Sequence, residues 1–122
     1  MAAPTPKTTD FIEWGSGGGI AGRRSSTRVY ADGGVETRNG FGQAPKGSRI
    51  SPAAASGLLR SAVEAGLFNL HGDRPTGADM TYRVIEASIQ GRKISLSRHD
   101  GTSPYPAWEK VWAVLRLPVA QP

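Results

Sequence analysis

Alternation around a two-residue turn is the tightest constraint on this chain. Within residues 79–98, Met80, Tyr82 and Val84 fall on one side of an extended backbone and Gln90-Gly91 turns it. Ile94 and Leu96 then alternate with Ser95 and Ser97. Successive side chains of a strand point to opposite faces, so period-two alternation on both sides of a short turn predicts an antiparallel hairpin with one buried and one wet face. The apolar segments before and after it are the natural covers for the buried face.

The remaining elements follow in order. Residues 1–9 hold two prolines and no periodicity and are expected to form a flexible tail. Residues 10–14 alternate Phe11 and Glu13 against Ile12 and Trp14, enough for one strand. Five glycines then crowd residues 15–22, a density that predicts a loop or a kinked strand entry. Residues 27–32 form a strand candidate with Val29 and Ala31 opposite Arg28 and Tyr30. Asp32-Gly33-Gly34 is a turn signal, and residues 35–38 return as the second arm of a hairpin. Residues 39–49 are expected to be a loop. Ser51-Pro52 opens a helix with an N-cap and a first-position proline, Leu58, Leu59, Ala62 and Val63 line one face of it, and Gly66 caps its end. After the central hairpin, Trp108, Val111, Trp112 and Leu115 recur at i, i+3, i+4 and i+7, a helical stripe closed by Pro118. The order β-β-β-α-β-β-α predicts one α+β domain over residues 10–117, an antiparallel sheet with two helices covering one face, followed by a short tail at 118–122.

Composition removes several classes of function. The 122 residues contain no cysteine, which excludes disulfides, thiolate catalysis and thiolate metal sites. No apolar run reaches the length of a membrane span and the N-terminus lacks the order of a secretory signal, so the expected location is the cytoplasm. The net charge of +5 is spread along the chain, with local clusters only at Arg23, Arg24 and Arg28 and at Arg92-Lys93. Neither cluster interleaves aromatics as RNA-binding surfaces do, which argues against nucleic acid as the partner.

The candidate chemical motifs are weak. Gly17, Gly19 and Gly22 match the spacing of a dinucleotide fingerprint, but an alternating strand follows where that fingerprint needs a helix N-terminus. His71, Asp73, Asp79 and His99 sit in turn-like stretches without the paired short spacing of a zinc site. Ser95 or Ser97 with His99 lies along one strand end, outside triad geometry, and Ser16 has no local base. The expectation is a protein that is not an enzyme and carries no metal or cofactor. Trp14 either anchors the sheet edge or is presented to a partner. The glycine stretch is either a connector or an interaction loop in which a small apolar tip, Ile20, stands beside Arg23 and Arg24.

The succession of a strand, Gly18, Gly19, Ile20, Ala21 and Gly22, a second strand, Asp32-Gly33, a helix opened by Ser51-Pro52 and closed by Ala65-Gly66-Leu67-Phe68, Gly77-Ala78-Asp79 with Tyr82, and a terminal amphipathic helix resembles the emfourin-type proteins. These are small bacterial inhibitors of protealysin-like metalloproteases of the thermolysin superfamily. The resemblance spans about residues 10–117 and rests on short, glycine-rich motifs. It implies a cytoplasmic α+β inhibitor that occupies the protease's zinc-bearing cleft without a metal or catalytic group of its own; the chain is expected to be a monomer. By position, Gly18, Gly19, Ile20, Ala21 and Gly22 match its glycine motif and Asp79 with Tyr82 its hairpin pattern; the expected partner contacts are Gly18, Gly19, Ile20, Ala21, Gly22 and Arg23, with Trp14 beside them. The alternatives are a small enzyme or ligand-binding α+β domain using His71, Asp73 and His99, and a basic nucleic-acid-binding domain using Arg23 and Arg24.

Overall fold

The computed structural model describes residues 9–18, 23–39, 46–72, 81–99 and 105–115, the side chains of residues 18, 23, 24, 39, 81 and 99 excepted. Six strands and two helices appear in these: β1 (Phe11–Gly18), β2 (Arg23–Tyr30), β3 (Gly34–Asn39), β4 (Lys46–Arg49), α1 (Pro52–Glu64), β5 (Thr81–Ile89), β6 (Arg92–His99) and α2 (Pro106–Val114), with a short 3-10 turn at Leu67–Asn69 after α1. The strands form one antiparallel sheet in the order β4-β3-β2-β1-β5-β6. This is the expected α+β class with one addition: β4 lies in the stretch read as a loop. All four of its residues are exposed, so no hydrophobic alternation marks it, and backbone pairing with β3 makes it a strand.

The glycine-rich stretch is also more regular than its composition suggests. β1 runs through Gly15, Ser16, Gly17 and Gly18, pairing with β2 on one side and β5 on the other. A strand bonded on both sides is fixed by its neighbours, which offsets the weak strand preference of glycine. Gly15 also answers a steric demand. A Cβ there would sit 2.1 Å from the Ser25 carbonyl oxygen and 2.7 Å from the Ser26 Cα.

The central hairpin carries a correction of phase. Met80, Tyr82 and Val84 share one parity, but the face of β5 in the main core is Ile85, Ala87 and Ile89. A two-residue turn at Gln90-Gly91 makes Ile89 the partner of Arg92, hence Ala87 of Ile94 and Ile85 of Leu96. Ile94 and Leu96 therefore stand with the odd residues of β5. Across β1, Ile12 is paired with Ala87 and with Val29, so the same face continues through the sheet. Onto it pack Ala55, Leu58, Leu59 and Ala62 of α1 and Trp108 and Val111 of α2.

Both helices begin as the residues dictate. The Ser51 hydroxyl accepts from the Ala54 amide at 3.1 Å, Pro52 occupies the first turn, and Gly66 leaves α1 with φ 110°. α2 ends at Val114, where Leu115 turns to extended backbone ahead of Pro118.

Two glycine substitutions separate steric demand from helix preference. Gly15→Ala is expected to lower unfolding free energy by about 2 kcal/mol through the forced shift of β2. Gly57→Ala, in α1 with nothing within 4 Å of the added methyl, is expected to raise it by roughly 0.5–1 kcal/mol. Urea denaturation of both variants checks the pair.

Candidate functional site

The strand directions gather the connections at one end of the sheet. β1, β3 and β6 finish there and β2, β4 and β5 begin there, as the pairs Gly18–Arg23, Gly18–Thr81 and Tyr82–His99 record. The connecting stretches 19–22, 40–45, 73–80 and 100–104 all start or finish at this end, and all lie outside the described residues. Of the expected contact positions, Gly18 and Arg23 are paired with each other on β1 and β2, whereas Gly19, Ile20, Ala21 and Gly22 fall in the undescribed stretch between them. Trp14 is half-buried on the helix-covered face, packed against the core cluster. β2 begins at Arg23 as a strand, so a helix N-terminus does not follow the Gly17, Gly19, Gly22 spacing.

The opposite end is tied by one buried acid that the sequence reading passed over. Asp10 is 5% exposed; its carboxylate accepts from the Gln90 amide at 3.0 Å and its carbonyl from the Ala31 amide at 2.8 Å. It latches the β5–β6 turn and the end of β2 to the start of β1.

The helix-free face carries a charged network across three strands. Glu13 on β1 stands directly opposite Arg28 on β2 and Glu86 on β5. The Arg28 Nε donates to Glu13 Oε1 at 2.8 Å and its Nη2 to Glu86 Oε2 at 3.2 Å, so one guanidinium reconciles two neighbouring carboxylates. Its Cζ lies 4.0 Å from the centroid of the Phe11 ring, and the Tyr30 hydroxyl donates to Glu36 at 3.0 Å. The Glu13 side chain is 7% exposed although α1 and α2 pack on the opposite face. Burial disfavours the charge on Arg28, but hydrogen bonding to Glu13 and Tyr30 and their charge outweigh it and hold its pKa above the ordinary guanidinium value. Beside the network a depression of about 440 Å³ opens between Phe11, Glu86, Ser88, Lys93 and Ser95.

The histidine candidates come together only in part. His71 meets Tyr105, whose hydroxyl lies 3.3 Å from His71 Nδ1 and 3.3 Å from the His71 amide, and Arg98 stacks on the same Tyr105 ring at 4.8 Å. Asp73, Asp79 and the His99 side chain lie outside the described residues. Among the described residues no group of three acids or histidines is placed to hold a metal ion, and no helix is long and apolar enough to cross a membrane. Ser95 and Ser97 sit on β6 facing away from the helices, and Ser16 lies exposed on β1. No protein-family model matches the chain, and no curated protein matches it.

Removing the central cation tests the network. Arg28→Ala is expected to cost about 3 kcal/mol of stability, because it leaves the shielded Glu13 carboxylate without its guanidinium. Arg28→Lys is expected to recover only part of that, since an ammonium neither forks between two acids nor stacks on Phe11. Thermal unfolding at fixed pH compares the two.

Proposed function

We propose that the chain is a proteinaceous inhibitor of a thermolysin- or protealysin-like metalloprotease, acting through the end of the sheet at which β1 finishes. The observation that supports this is the convergence of four connections at that end of a six-stranded sheet. Binding proteins commonly present such loops on a rigid scaffold, which limits the entropy lost when the contact forms. β1 is held on both sides up to Gly18, so residues 19–22 follow a strand paired along its whole length. Glycine at these positions lets backbone approach a cleft wall closely, and Ile20 supplies a small apolar group beside it. Gly18, Gly19, Ile20, Ala21, Gly22 and Arg23 are the contact positions in this scheme. The chain acts by occupying the cleft, with no cofactor, metal or catalytic residue of its own. Trp14, packed against the core, serves the scaffold.

A peptidase assay tests this directly. Titrating the purified chain into a protealysin- or thermolysin-type enzyme is expected to give saturable loss of cleavage near a stoichiometric ratio. Ile20→Glu is expected to weaken that inhibition by about tenfold or more with an unchanged unfolding midpoint. His71→Ala is expected to leave it intact. Full cleavage in the presence of the folded chain, against several such enzymes, would sink the inhibitor reading.

A further inference from the structure

Both edge strands of the described sheet are basic, and they differ in length. β4 carries Lys46 and Arg49 over four residues and β6 carries Arg92, Lys93 and Arg98 over eight, and neither has an acid. Which backbone groups β6 turns outward follows from its hairpin. Gln90 (φ 51°) and Gly91 (φ 81°) are both left-handed, the geometry of a two-residue type I′ turn, so Ile89 and Arg92 form the hydrogen-bonded closing pair. Bonded and non-bonded pairs then alternate along an antiparallel ladder. Arg92, Ile94, Leu96 and Arg98 bond inward to β5, and Lys93, Ser95 and Ser97 aim their N–H and C=O groups out of the sheet.

Two contacts agree with this phase. The Gln90 amide points toward β1, where it donates to Asp10, as an even residue on the β5 side should. Gly72 lies so close to the outward groups of Ser97 that a Cβ there would sit 2.6 Å from the Ser97 oxygen and 3.1 Å from its nitrogen. Gly72 thus covers the edge at Ser97. Lys93 and Ser95, both exposed, form the stretch of edge before it, and among the described residues no strand pairs with them.

We propose that this half of β6 takes an extended acidic peptide as a seventh, antiparallel strand. The N–H and C=O of Lys93 and of Ser95 supply its backbone bonds, and alternation sets the side chains it needs. Peptide residues opposite Lys93 and Ser95 stand on the helix-free face, beside the Lys93 ammonium and the 440 Å³ depression. The residue between them stands opposite Ile94 on the other face, next to the half-buried Ile94 and Leu96. The matching sequence therefore alternates acidic and apolar residues. Arg92, stacked 4.0 Å over Phe68, and Arg98, stacked 4.8 Å over Tyr105, are held at the edge and add to its positive field. A single-stranded nucleic acid fits less well, because β6 has no Phe, Tyr or Trp on which bases stack and its outward groups match a peptide backbone. This edge is separate from the Gly18 end, so the proposal stands apart from protease inhibition.

The test is a titration of the isotopically labelled full chain with a blocked hexapeptide of alternating glutamate and valine, followed by amide NMR. Saturable shifts centred on Lys93 and Ser95, weakened by salt, are expected. Ser95→Pro removes an outward N–H while leaving the inward pairs in place, and is expected to weaken binding by about tenfold. Lys93→Glu, a surface change that does not depend on proline being tolerated, is expected to weaken it similarly and to favour the lysine–valine counterpart. The proposal is overturned by absence of saturable shifts, by equal binding of the lysine–valine peptide to the unaltered chain, by shifts centred on β4, or by tighter binding of an oligothymidylate than of the acidic peptide.

Discussion

Everything in this molecule hangs on β1 being paired along both sides. Its eight residues meet β2 on one flank and β5, far away in sequence, on the other. Joining segments this distant costs chain entropy before any contact repays it. The repayment comes from a continuous apolar face in which Ile12, Val29 and Ala87 stand side by side under Leu59, Trp108 and Val111. Burial at this centre is complete, with Ile12, Leu59, Ile85 and Trp108 all at 0% exposure. The glycines of β1 belong to this constraint, because Gly15 marks where β2 comes too close for any side chain.

The basic composition also finds its place in the packing. Arg83 stacks over Trp112, Arg92 over Phe68 and Arg98 over Tyr105, each joining the sheet to an aromatic on the helical layer. Such contacts bury the arginine stem and ring face while the charge stays near water. On the other face, Arg28 covers Phe11 and joins Glu13 to Glu86. The cations are thus distributed as rim contacts around the core, in keeping with a charge spread along the chain. Among the described residues, both edge strands also carry them, Lys46 and Arg49 on β4 and Arg92, Lys93 and Arg98 on β6.

Much of this was legible in the residues. Ser51-Pro52 and Gly66 marked the ends of α1, the 3.6-residue stripe marked α2, and Asp32-Gly33 marked the turn between β2 and β3, where the Asp32 carboxylate accepts from the Gly34 amide. The phase of β5 was legible too, since a two-residue turn pairs Ile94 with Ala87 by counting alone. Tyr82 and Val84 obscured it because that strand carries apolar residues on both faces. β4 gave no local signal, because an exposed edge strand needs no hydrophobic period. The Asp10 latch and the Glu13–Arg28–Glu86 network were out of reach, since each depends on which strands become neighbours.

By itself the sequence determined the α+β class, the helices and the hairpins, because caps, turns and periodicity act over a few residues and need no knowledge of partners. The tertiary structure alone decided that β1 lies at the centre, that its glycines extend the strand, and that Arg28 stands between two carboxylates. It also decided that four connections share one end of the sheet and that β6 is the edge strand, met by Gly72 at Ser97. These are facts of register and strand order. They are set by which long-range pairing buries the most apolar surface, a quantity that belongs to the whole chain and to no segment of it.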